Sequence, residues 1–75
     1  MIKEFVEYVV KKLVEFPDAV SVTVVSRDNT DVLEIKVDER DRGKVIGREG
    51  QTIKAIRNLI VTVIPTDKKI AIDVQ

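Results

Sequence analysis

Gly43-Lys44-Val45-Ile46-Gly47-Arg48-Glu49-Gly50-Gln51-Thr52-Ile53 contains every glycine of the chain. Three kinds of glycine loop can be tested against it. A P-loop requires Gly-x-x-x-x-Gly-Lys-Ser/Thr. Gly43-Lys44 is present, but Val45 replaces the hydroxyl residue and Asp38 stands where the first glycine belongs. A dinucleotide fingerprint requires Gly-x-Gly-x-x-Gly after a strand. Val45 again occupies a required glycine, and 75 residues leave no room for a doubly wound sheet. The third possibility is Gly47-x-x-Gly50 between two helices. Glycines there permit backbone angles and close approaches that a Cβ would block. The first amides of the following helix lack partners within the helix. Together with the helix dipole they form a site for phosphate oxygens. The plain alternative is a helix–helix turn with no ligand, and the surroundings of the loop decide between the two.

Upstream, Ile2, Phe5, Val6, Val9, Leu13 and Phe16 recur at spacings of three and four, the stripe of an amphipathic helix. Pro17 disfavours helical geometry at Phe16, so the helix is expected to end there. Val20, Val22 and Val24 alternate with polar residues, as do Leu33, Ile35 and Val37. Arg27-Asp28-Asn29-Thr30 supplies turn chemistry, giving an antiparallel hairpin. A charged connection, residues 38–42, leads to a short helix at 44–46 and the glycine loop. A longer helix follows from Gln51, with the stripe Ile53, Ile56, Leu59, Ile60 and Val63. The β-branched stretch 60–64 is compatible with a strand, but it continues the stripe in phase and is assigned to the helix. After the turn at Pro65, Ile70, Ile72 and Val74 alternate as a final strand. The order is α-β-β-α-α-β: an α+β fold, one domain over 1–75, with helices on one face of a three-stranded sheet. The last strand arrives by a helical crossover and is expected to pair parallel to an earlier one.

Composition removes several function classes. The chain is 44% hydrophobic and 35% charged, with neither Cys nor His. Disulfides, thiolate nucleophiles, imidazole bases and most transition-metal sites are thereby excluded. No apolar run approaches the roughly 20 residues that span a bilayer. The opening Met1-Ile2-Lys3-Glu4 is unlike a signal peptide. The expectation is a cytoplasmic protein without membrane contact, metal or cofactor. The net charge of zero conceals a polarity. Residues 1–39 carry five cations against nine acids, −4. Residues 40–57 carry Arg40, Arg42, Lys44, Arg48, Lys54 and Arg57 against Asp41 and Glu49, +4. The remainder is neutral. A basic excess centred on the glycine loop is what a phosphate-binding groove requires.

Val45-Ile46-Gly47-x-x-Gly50-x-x-Ile53, set between helices in the order α-β-β-α-α-β, resembles the KH family. More narrowly, the whole chain is similar to the small bacterial single-KH RNA-binding proteins of the KhpA family, with the type II order. The resemblance implies a GxxG loop that clamps about four nucleotides of a single strand. By it, Gly47, Arg48, Glu49 and Gly50 lie along the nucleic-acid backbone. Val45, Ile46 and Ile53 contribute the apolar floor, and Lys44, Arg48, Lys54 and Arg57 are the phosphate partners. It also implies single-stranded RNA as ligand, with single-stranded DNA left open, and a role in post-transcriptional, chaperone-like RNA regulation. Homodimers, or heterodimers with a larger KH protein of the KhpB/Jag type, are implied as well. Val25 and Val61, apolar but off their stripes, are the candidate contacts. Glu49 places an anion beside the phosphate site. Phe5, Tyr8 and Phe16 all lie in the first helical segment, so aromatic stacking of bases is not expected. An enzyme would need the acidic knot Asp38, Glu39 and Asp41 to bind a cation; the knot is read as a solvated turn, with no catalytic residue. The competing function is a protein-interaction module whose RNA binding is secondary.

Overall fold

The computed structural model describes residues 2–75 and has the expected element order. Helix α1 (Ile2–Leu13) leads through a 3-10 turn to strands β1 (Ser21–Arg27) and β2 (Thr30–Lys36). A second 3-10 turn, Glu39–Asp41, runs into α2 (Arg42–Ile46). The loop Arg48–Gly50, helix α3 (Gln51–Val63) and β3 (Lys69–Val74) complete the chain.

The hairpin closes through Asp28 and Asn29 alone, both at positive φ (45° and 63°). This is the pattern of a primed two-residue turn, which matches strand twist and suits Asp and Asn. It lengthens both strands beyond the alternating runs, pairing Arg27 with Thr30. The sheet order is β1-β2-β3. β2 and β3 run parallel, as the crossover requires, which leaves β3 at an edge.

Strand alternation gives the sheet two faces. Val22, Leu33, Ile35 and Ile70 are buried under the helices, where they meet Val6 and Val10 of α1, Val45 of α2, and Ile56 and Ile60 of α3. The opposite face is uncovered. Across it the register sets three rows: Arg27–Thr30–Lys69, then Val25–Val32–Ala71, then Thr23–Glu34–Asp73. The first row is basic, the second apolar, the third acidic.

Three expectations need correction. α1 stops at Leu13 rather than Phe16. The Glu15 and Phe16 amides donate to the Asp41 carboxylate, at 3.1 and 3.0 Å, which draws the chain off the helix before Pro17 can end it. Asp41 is therefore no part of a solvated knot: it is 1% exposed and ties α1 to the start of α2. In α3 the stripe is narrower than expected. Ile56 and Ile60 are buried, but Leu59 and Val63 are 42% and 52% exposed. At 100° per residue they fall on one flank of the buried line, and Val63 borders an apolar hollow shared with Phe5 of α1. The β-branched stretch is helical as far as Val63, with Ile64 extended. Of the two off-stripe valines, Val61 is exposed and Val25 is half-buried on the open sheet face.

Candidate nucleic-acid interface

The glycine loop is built by two positive-φ glycines with different reasons. At Gly47 (φ 76°, ψ 172°) a Cβ would fall on the Thr52 hydroxyl and lie 2.7 Å from the Thr52 amide nitrogen, so no side chain fits. At Gly50 (φ 74°, ψ 15°) there is open space, and only the left-handed backbone selects glycine. Glu49 also adopts the left-handed region, at φ 55° and ψ 28°. The Gly50 amide donates to the Gly47 carbonyl at 3.2 Å, and the Gln51 amide to that of Arg48. The Arg48 and Glu49 amides precede these bonds in the turn, the position of unpaired helix-start donors. Both side chains are exposed.

Helix α3 begins where the loop ends, so the loop forms one end of a wall. A groove of about 410 Å³ separates that wall from the edge strand. Ile53, Lys54 and Arg57 line it from α3; Lys69, Ile70, Ala71 and Ile72 line it from β3, with Thr30 beside them. The floor is apolar, and cations stand on both walls. Among the described residues Arg48, Lys54 and Arg57 take part in no ion pair.

The other expected site residues sit differently. Val45 is fully buried; it supports the loop from beneath and presents no surface. Ile46 is half-buried. The Lys44 ammonium lies 2.7 Å from Glu15 at the end of α1. Arg40 is bound to Asp38 through its backbone and guanidinium nitrogens, at 2.9 to 3.0 Å. Its guanidinium also lies over the Phe16 ring, 3.7 Å from the centroid. These hydrogen bonds hold the Asp38 carboxyl down at about 2 and raise Arg40 above the usual guanidinium value. Arg42 donates to the Val74 carbonyl at 3.2 Å.

The β3 wall was missing from the sequence-based site. Thr30, Lys69, Ala71 and Ile72 carry no motif, and only the parallel register brings them opposite α3. The expected helical crossover to an edge strand was the available signal. Among the described residues no cluster of Asp or Glu could hold a metal ion, and no helix is long and apolar enough to cross a membrane.

A positive-φ GxxG turn opening a helix, with a groove against a parallel edge strand, is a KH geometry. The family model described as "KhpA/KhpB, KH domain" matches residues 3–75. The chain belongs to that family. Among similar KhpA/KhpB relatives is the RNA-binding protein KhpA of Chlamydia trachomatis. It is 45% identical over 74 residues, which are 97% of this chain and 95% of that protein. The RNA-binding protein KhpA of Clostridium perfringens is 40% identical over 73 residues, 96% and 97% of the two chains. Two solved structures of Era share the fold at 23% identity, each matching 97% of this chain. One is Aquifex aeolicus Era with GDP and AlF4 (TM-score 0.61), the other Era with MgGDPNP and nucleotides 1506–1542 of 16S ribosomal RNA (TM-score 0.63). This KhpA/KhpB domain spans only 29% and 28% of those two chains.

Proposed function

We propose that the chain is a non-enzymatic, single-stranded RNA-binding domain. The strand backbone follows Gly47-Arg48-Glu49-Gly50, with Arg48, Lys54 and Arg57 as phosphate partners. Bases rest on Ile53 and Ile72. The observation that carries this reading is that the glycine loop opens α3 and that, on the same helix, Lys54 and Arg57, in no ion pair among the described residues, line the apolar groove. The names of the KhpA relatives support RNA as the ligand. With no aromatic side chain in the groove, binding is salt-sensitive and weakly selective for sequence. Weak single grooves gain from pairing. The domain therefore acts as a homodimer, or with a larger KH protein of the KhpB/Jag type, in post-transcriptional regulation in the cytoplasm.

The test replaces the loop by Gly47-Asp-Asp-Gly50. Asp is among the few non-glycine residues suited to the left-handed position of Glu49, so the fold should persist by circular dichroism. Fluorescence anisotropy with labelled oligouridylate should then show binding reduced more than tenfold. Unchanged affinity refutes the reading.

A second reading, a protein-interaction module, draws on one observation. Phe5, Val63, Ile64 and Pro65 line an apolar hollow of about 400 Å³, and exposed Leu59 lies one turn before Val63 on the same flank of α3. Light scattering separates the two: a strict monomer with tight RNA binding removes dimerisation from the mechanism.

A further inference from the structure

Thr30, Lys69 and Ala71 belong to the uncovered face of the sheet by strand alternation, yet they also line the groove. The groove therefore reaches the edge of β3, where the open face begins. What it reaches there has the groove's own composition. The Val25–Val32–Ala71 row is apolar, and Arg27 and Lys69 flank Thr30 in the adjoining basic row. Across three strands about 4.8 Å apart, the Arg27 and Lys69 backbones stand about 10 Å from each other. Among the described residues neither is in an ion pair.

Of the acids near this end, Asp67 lies in the turn two residues before Lys69, and the others are placed by the sheet. Asp31 lies on the opposite face, where it accepts from the Ser26 hydroxyl at 2.7 Å and lies 3.5 Å from the Lys68 ammonium. Glu34 and Asp73 lie on the open face but beyond the apolar row. Asp28, at the hairpin tip, adjoins Arg27 in sequence.

We propose that a single strand leaving the groove turns over β3 onto this face. Its phosphates meet Lys69 and then Arg27, and its next bases lie on Val25, Val32 and Ala71. The acidic row beyond repels the strand and limits its path. This rests on the groove reading above and extends it: the domain holds more nucleotides than the four a KH groove clamps.

The experiment compares oligouridylates of four and ten nucleotides, by NMR titration for the short one and anisotropy at several salt concentrations for the long one. Arg27→Ala removes an exposed side chain at a strand end. It should weaken the long oligonucleotide about fivefold at 0.1 M salt and flatten its log–log salt slope by about 0.7, the value of one single-strand phosphate contact. The short one should bind as before. Asp28→Asn, which keeps a residue suited to positive φ, should tighten the long one alone. An unchanged long-oligonucleotide slope in Arg27→Ala, or equal losses at both lengths, overturns the proposal. If the loop replacement leaves the short oligonucleotide bound, it is the groove reading that has failed.

Discussion

The six cations between residues 40 and 57 divide at Gly47. Before it, Arg40, Arg42 and Lys44 each hold an oxygen of the protein: the Asp38 carboxylate, the Val74 carbonyl and the Glu15 carboxylate. After it, Arg48, Lys54 and Arg57 hold none among the described residues. The first group borders the end of α1 and the end of β3, where the acidic first half of the chain and the Val74 carbonyl supply acceptors. In the second group Lys54 and Arg57 line the groove, and Arg48 is exposed on the loop that opens α3. The basic excess in the sequence thus serves two purposes, and its sum overstates what remains for a ligand. Similar side chains, a few residues apart, brace the arm that carries the loop on one side of Gly47 and stay out of ion pairs among the described residues on the other.

The comparison breaks most severely at Asp41, which anchors the first group's arm. Asp41→Ala leaves the Glu15 and Phe16 amides without their acceptor and should cost about 3 kcal/mol. For a domain this small that corresponds to a fall in Tm of about 15 °C, measurable by thermal denaturation. Next come the groove cations. Arg57→Ala should reduce affinity for oligouridylate about fivefold at 0.1 M salt and flatten the salt slope by about 0.7. Arg42→Ala should leave that slope unchanged. Anisotropy titrations over a salt series check both, and equal slopes would erase the division. Lys44→Ala should behave like the first group, with less than a twofold change in affinity by the same assay, because the Glu15 carboxylate 2.7 Å away locally cancels its charge. The smallest effect concerns acid stability. Asp38 titrates at about 2 in the folded chain because Arg40 hydrogen-bonds its charged form, against an ordinary value near 4. A depressed folded value means stabilisation that is complete above pH 4 and is lost as pH falls toward 2. Asp38→Asn should remove that portion of the acid limb in urea denaturation curves, leaving neutral-pH binding as it was.

The loop and the order of elements were legible because each rests on local rules. Gly47 and Gly50 announce positive φ, Asp28-Asn29 announces a hairpin, and the apolar periods switch between two and 3.6. The half of the site on β3 was not legible, since Lys69 and Thr30 become neighbours of Arg57 only through a parallel register across the crossover. Asp41 was misread for the same reason. Three acids in four residues look like a solvated turn, and nothing nearby in sequence shows that one of them meets amides of the first helical segment. Lys44 looked as available as Arg48, but its partner lies 29 residues away. Val45 reads as part of the family's floor, while its burial depends on how the short α2 is pressed onto the sheet.

The bonds from Glu15 and Phe16 to Asp41 span 26 and 25 residues. Amides just beyond a helix end ordinarily exchange with solvent through fraying, at little energetic cost. These two are closed by a side chain across the fold. Their hydrogen exchange therefore reports separation of the first helix from the rest of the domain, and it should be as slow as that of the central strand. A pair of NMR signals at the junction thus becomes a clock for whether the domain opens in parts or all at once.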